Sequence, residues 1–284
     1  MNSQNPRSLI PLLPMYLFTL LFILGPLIYL IILSFMQRQG IWGAGYSFSL
    51  RNYRIMFEPV YMETFRQSIR LACISTFAVA AAGYPFGYFM ARLSQTWRNR
   101  VMLLLIIPFW TSALMRLYGW IIVFRANGVF DRLLMGLRIT DEPLRLLYTY
   151  PAVVTGMIYA LLPFMIYSVY ASAEKMDRSL IEAARVLGAG RFRAFITVTF
   201  PLTMPGLLSG VFLTFIPSMG LYFIADILGG NKVVLVGNLI RDQVMNVHNL
   251  PFAAALSVAL ILVTSLFLVL YRLVTRSGEI EGLI

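Results

Sequence analysis

Five stretches of this chain contain no Asp, Glu, Lys or Arg: residues 8–37, 71–91, 146–173, 194–225 and 243–271. A further stretch, 101–124, is interrupted by Arg116 alone. Runs of this length constrain the fold more than any other feature. A helix that crosses a membrane needs about 20 predominantly apolar residues, and it satisfies its backbone hydrogen bonds internally. The spacing predicts an all-α integral membrane protein with six transmembrane helices, at about 9–36, 68–92, 101–124, 150–173, 195–223 and 251–273. Residues 1–284 read as a single transmembrane domain. The first run is too long for a signal-peptide core and no cleavage pattern follows it, so it is expected to stay in the mature protein. A mean hydropathy of +0.77, with 59% hydrophobic and 12% charged residues, agrees with this class.

An even number of spans puts both termini on one side. The N-terminus, 92–100, 174–193 and 272–284 together hold eleven Lys and Arg, and the opposite loops with the start of the second span hold eleven as well. Density separates the two sets. The short 92–100 turn carries Arg92, Arg98 and Arg100, which predicts cytoplasmic termini. All but two of the 23 basic residues are Arg, and the net charge is +11. In a membrane chain such interfacial charge suits anionic lipid headgroups and a partner surface, so no nucleic-acid partner is expected.

Several chemistries are excluded. Cys73 is the single cysteine and His248 the single histidine, which leaves no disulfide within the chain and no Cys- or His-based metal cluster. The two lysines, Lys175 and Lys232, sit in no phosphate-binding glycine loop. No paired carboxylates occur within a span. The reading is a transport subunit with no catalytic residues, no metal site and no cofactor of its own. An ion-coupled secondary transporter is the rival from another class, and it would normally carry intramembrane acids that these spans lack.

Between the fourth and fifth spans lies a polar, basic loop, 174–194, that leads into the segment SLIEAARVLGAGRFRAFITVTFPLTMPG. Ser179 followed three residues on by Glu182 has the form of a capping box. Ile181, Ala184 and Leu187 follow at helical spacing, and Gly188 offers a C-terminal stop. A second short helix is expected over 191–198.

This segment resembles the EAA loop in the permease subunits of binding-protein-dependent ABC importers. Glu182, Ala183, Ala184 and Gly188 match the pattern in place, whereas Val198 replaces the usual Ile and Phe200-Pro201 the usual Leu-Pro. The stretches GYPFGYFMARL (83–93), IPFWTSALMRLYGW (107–120) and LLPFMIYSVYASAEKMD (161–177) further resemble the first of the two permeases of spermidine/putrescine importers. The resemblance implies a type I ABC importer permease fold in a bacterial inner membrane, with a cytoplasmic coupling helix between helices 4 and 5. It implies a second, homologous permease, two copies of a cytoplasmic ATPase that carries ATP and magnesium, and an extracytoplasmic polyamine-binding protein. Import of another small amine or amino-acid derivative is the alternative within the class. Glu182, Ala183, Ala184, Arg185 and Gly188 would form the ATPase-coupling surface, the small alanines permitting close approach.

A polycation pathway should offer acidic and aromatic groups. Asp226, with Tyr222 and Phe223 one turn before it, is read either as the outer mouth of the pathway or as an interfacial aromatic belt beside an ordinary carboxylate. Arg116 is read either as the partner of Asp226 or another carboxylate in one transport state, or as a side chain snorkelling to the interface. Trp110, beside Pro108, is read as a cavity residue or as packing. The GYPFG stretch and the Gly206/Gly210 pair suit close helix packing against the partner permease.

Overall fold

The computed structural model of the protein describes residues 13–40, 43–45 and 47–281. The expected first span begins at residues 9–12, which lie outside this range. The protein is an all-α membrane protein. In chain order its helices are α1 (Pro14–Ser34), α2 (Arg51–Met56), α3 (Pro59–Met90), α4 (Gln95–Ile106), α5 (Ala113–Phe124), α6 (Val129–Gly136), α7 (Tyr150–Glu174), α8 (Ser179–Val186), α9 (Arg191–Gly220), α10 (Tyr222–Gly229), α11 (Val236–Met245) and α12 (Leu250–Glu281). One small antiparallel hairpin, Gln37–Gln39 with Gly43–Gly45, pairs Gln37 with Gly45 and Gln39 with Gly43.

Five helices, α1, α3, α7, α9 and the Leu250–Leu273 part of α12, are long and apolar enough to cross a membrane. The expected third span, 101–124, is not one helix. It is a pair, Gln95–Trp110 and Ala113–Gly136, bent by 95°. Pro108 lies in a closing 3-10 turn, Ile107–Trp110, after which Thr111 and Ser112 turn extended. A proline there removes a donor and clashes with the preceding turn, which ends the helix. By contrast, the separate helix expected over 191–198 is continuous with the fifth span. A π-helical turn, Phe195–Thr199, precedes Pro201 and absorbs its missing N–H without breaking α9.

The chain divides into two compact units. One comprises the residues up to Met62 together with Leu239–Val263. In it the buried Asn52 donates to the carbonyls of Ser34 and Met36, at 2.9 and 2.8 Å, and Ser34 Oγ lies 2.7 Å from the Tyr53 hydroxyl. These bonds satisfy the end of α1 through α2, where an unpaired carbonyl would be costly. Tyr61 meets Phe252 edge to face at 5.0 Å.

The other unit, Glu63–Asn238 with the residues from Thr264 onward, is built around α7. Glycines let its neighbours approach. A Cβ on Gly87 of α3 would lie 2.7 Å from the Ile166 carbonyl oxygen, and one on Gly206 of α9 2.6 Å from that of Ser168. Gly83 and Gly210 face Met165 from the two sides. The small-residue patterns expected to meet a partner permease are therefore consumed within the chain, clamping α7 between α3 and α9. At the other end of α7, Gly156 receives Ile224 and Leu228 of α10. Leu117 of α5, Val153, Met157, Ile224 and Leu228 are buried together in that core.

Candidate functional site

The loop after α7 is organised by its ends. Asp177 Oδ1 accepts the backbone N–H of Ser179 at 2.9 Å. That bond, with help from the Ser179 hydroxyl, holds the Asp177 carboxyl below the ordinary value. The cap is therefore Asp177 and not the expected Ser179–Glu182 box. Ser179 already lies inside the first turn, and the N–H groups of Ile181 and Glu182 bond to the Arg178 carbonyl. At the far end, Ala189 N–H donates to the Ala184 carbonyl and Gly188 N–H to that of Arg185, both at 3.0 Å. This is a Schellman closure around Gly188, whose φ is +87°. No atom lies within 4 Å of a Cβ built there, so the requirement is one of backbone conformation and not of space.

Ile181 is the single buried anchor of α8. Glu182, Ala183, Arg185 and Gly188 are exposed, and Ala184 is half-buried. Around them Val186 and Leu187 are each 88% exposed and Phe192 is 77% exposed. Large apolar side chains on a polar loop between spans form an unpartnered contact surface.

A cleft of about 230 Å³ runs beneath this helix, with Tyr88, Arg92, Glu174, Arg178, Glu182 and Arg185 on its walls. Arg178 donates to the Ala91 carbonyl at 3.3 Å, tying the start of α8 to the end of α3. Arg92 lies over the Tyr88 ring at 4.2 Å and bonds its hydroxyl. Burial, and then the nearby Arg178 and Arg185 charges, lower the Arg92 pKa from its ordinary value. Arg98 pairs with Glu174 at 2.8 Å and so joins α4 to the end of α7. Sequence reasoning misses Asp177, Arg92 and Arg178. Only the Asp-x-Ser spacing before α8 hints at the cap.

The expected pathway residues separate. Tyr222, Phe223 and Asp226 share α10, which starts after a break at Leu221, so they do not continue the fifth span as expected. Asp226 is half-buried and accepts a bond from the Asn238 amide, which also donates to the Tyr222 carbonyl at 3.2 Å. Phe223 stands edge to face with Tyr222 at 6.2 Å.

Arg116 does not pair with Asp226 in this structure. Its guanidinium bonds the carbonyls of Pro108 and of Thr111, the latter at 2.8 Å, and lies over Phe109 at 5.0 Å. The Pro108 carbonyl also accepts the Thr111 N–H at 3.2 Å and the Thr111 hydroxyl at 2.8 Å, so the guanidinium is an added donor there, and a cation makes the stronger bond to the Thr111 carbonyl at the break. Trp110 ends the 3-10 turn at the same break, 83% exposed, and borders a shallow surface pocket with Asn99, Leu103 and Ile106. Among the described residues no cluster of His, Cys, Asp and Glu suits a metal ion.

The sequence profile of the binding-protein-dependent transport system inner membrane component family matches residues 83–277. The spermidine/putrescine transport system permease protein PotB of Escherichia coli (strain K12) is 40% identical over 265 residues, covering 92% of this chain and 96% of that protein. The protein of the same name in Haemophilus influenzae is 37% identical, with 92% of each chain covered. Among solved structures, a bacterial ABC transporter involved in the import of the acidic polysaccharide alginate superposes with a TM-score of 0.74 at 16% identity. That match covers 94% of this chain and 93% of the other. The MetNI methionine ABC transporter gives a TM-score of 0.58 at 18% identity, over 78% and 99%. At such identities the structural likeness speaks to fold alone.

Proposed function

Because this chain belongs to the family of binding-protein-dependent transport system inner membrane components, we propose that it is a permease subunit of an ATP-driven importer of the polyamines spermidine and putrescine. It is a multi-pass inner membrane transport subunit. ATP hydrolysis belongs to a separate cytoplasmic ATPase, present in two copies with its magnesium. A second, similar permease completes the pathway, and an extracytoplasmic polyamine-binding protein delivers the substrate. The termini and the Ser179–Val186 helix face the cytoplasm.

The observation that carries this reading is the pairing of long-range identity to polyamine permeases with the surface of α8. Its Glu182, Ala183, Arg185 and Gly188 stand exposed beside exposed Val186, Leu187 and Phe192. An ATPase groove would cover those apolar groups, and each covered Å² contributes about 25 cal/mol. The Arg178 bond to Ala91 and the Schellman closure at Gly188 let α8 move as one piece with the ends of α3 and α7. Nucleotide-driven closure of the ATPase would bias the permease between its two states only through such differential contacts.

The test is substrate-stimulated ATP hydrolysis by the reconstituted complex, with spermidine or putrescine and the binding protein. Stimulation by polyamine, lost in Glu182→Ala/Gly188→Asp, is the expected result. Stimulation by another amine alone would replace the substrate and keep the machine. Solute movement by this chain with no ATPase present would overturn the reading.

A further inference from the structure

At the N-terminal end of α7, remote from the α8 loop, an open cleft of about 460 Å³ is bordered by Glu63, Gln67, Arg70, Tyr148, Tyr150 and Lys232. Its acid is already engaged. Glu63 pairs with Arg66 at 2.7 Å and accepts from the Gln67 amide at 3.2 Å. Its bases form no close ion pair, although the Arg70 charge is near enough to Glu63 to act on its carboxylate. Neither Arg70 nor Lys232 has a carboxylate partner among the described residues. The Tyr150 hydroxyl is buried and makes no hydrogen bond. The 25-residue helix α7 starts here with no side-chain cap, because Thr149 turns its hydroxyl to the Leu146 carbonyl at 2.6 Å. Two cations outside any close ion pair, a buried hydroxyl without a hydrogen bond and an uncapped helix N-terminus all favour one kind of ligand, an anion with several acceptor oxygens.

The level of the cleft and its continuation identify the source of that anion. Arg70 immediately precedes the charge-free run 71–91, and Tyr150 lies near the start of 146–173. The cleft therefore lies at the edge of the apolar band, where headgroups sit. Below Arg70, on the same stripe of α3, come the exposed Cys73, Ile74 and Phe77, with Phe77 77% exposed. An acidic protein side chain would use the charges and leave this stripe bare. A phospholipid uses both.

We propose that this cleft binds the phosphate of an anionic phospholipid in the leaflet opposite the α8 loop, with an acyl chain lying along Ile74 and Phe77. Each basic side chain then raises retention about five-fold, and the two together about 30-fold. The experiment is native mass spectrometry of the purified complex, delipidated and titrated with phosphatidylglycerol, phosphatidylcholine or glycerol phosphate. Preferential retention of phosphatidylglycerol is expected, weakened about five-fold by Arg70→Gln or Lys232→Gln. Tyr150→Phe, which removes a single hydroxyl and leaves the packing in place, is expected to weaken it as well. Phe77→Ala should reduce lipid retention and leave glycerol phosphate binding unchanged. Equal retention by wild type and by Tyr150→Phe and Arg70→Gln would overturn the proposal. So would glycerol phosphate binding as tightly as the lipid, which would make this a free-phosphate site. Unchanged lipid retention with weakened capture of the extracytoplasmic binding protein would assign the cleft to protein docking instead. None of these readouts depends on polyamine transport.

Discussion

The guanidinium of Arg116 bonds the carbonyl oxygen of Thr111 at 2.8 Å, across the 95° break between Gln95–Trp110 and Ala113–Gly136. Within a membrane an unpaired carbonyl costs several kcal/mol, and an ionised side chain there is costly for the same reason. Each group removes the other's penalty. Arg116→Gln should therefore lower the thermal midpoint of the purified protein by an amount worth about 1.5–3 kcal/mol, the value of a charged hydrogen bond. A double-mutant cycle of Arg116 with Asp226 should be additive within about 0.5 kcal/mol. A larger coupling energy would mean that the two residues pair in another transport state.

Gly188 holds φ +87° at the end of α8 with open space around it. A side chain there is penalised by backbone conformation alone, by about 1–2 kcal/mol. Asn tolerates this region better than Ala. ATPase stimulation in the reconstituted complex should accordingly rank Gly188 above Gly188→Asn, and Gly188→Asn above Gly188→Ala, with membrane expression unchanged. An equal response from Asn and Ala would show that the conformation is not what matters.

Gly206 and Gly87 bring their helices against the backbone of α7. A Cβ at either position must displace a carbonyl oxygen, which cannot yield as a flexible side chain does. Gly206→Val should destabilise by more than the roughly 1–3 kcal/mol usual for overpacking, and the yield of folded protein in detergent should fall sharply. Gly119→Ala, with nothing within 4 Å, is the control and should leave yield intact.

The Asp177 carboxyl is held below its ordinary value by the Ser179 N–H and hydroxyl. The sign comes from linkage: a depressed folded pKa means that stability is present above the unfolded value and is lost as pH falls through the folded one. The start of α8 should stay protected through neutral and mildly acidic pH and loosen only below about pH 4. Hydrogen exchange at Ser179 is the measurement. Asp177→Asn can still cap but should show no such pH dependence. Identical pH profiles for the two proteins would remove Asp177 from this role.

Membrane class is legible along the chain because it rests on local composition. A run without charge, such as 71–91 or 146–173, has few options in water and one in lipid. The α8 stop is legible too, since Gly188 at the end of a helical pattern carries a local conformational meaning. The cap sits two positions before the residue that the sequence pattern favours. Asp177 and Ser179 are both good caps, and the choice depends on where the chain leaves α7. The break in the third segment is hidden in the sequence because Arg116 and Pro108 each look tolerable alone. The bond between the Arg116 guanidinium and the Pro108 carbonyl forms only once the chain has folded at the break.

The sequence by itself determined the properties that arise between neighbours along the chain: apolar length, helix stops and the EAA-type loop. The tertiary structure decided which groups meet. Asp226 is bonded by Asn238, twelve residues on, and Arg116 by the carbonyls of its own break. The Gly206/Gly210 face went to α7 within the chain. Such choices turn on unsatisfied polar groups and on whether backbones can close to van der Waals distance. Both are properties of surfaces brought together by packing, and no local pattern encodes them.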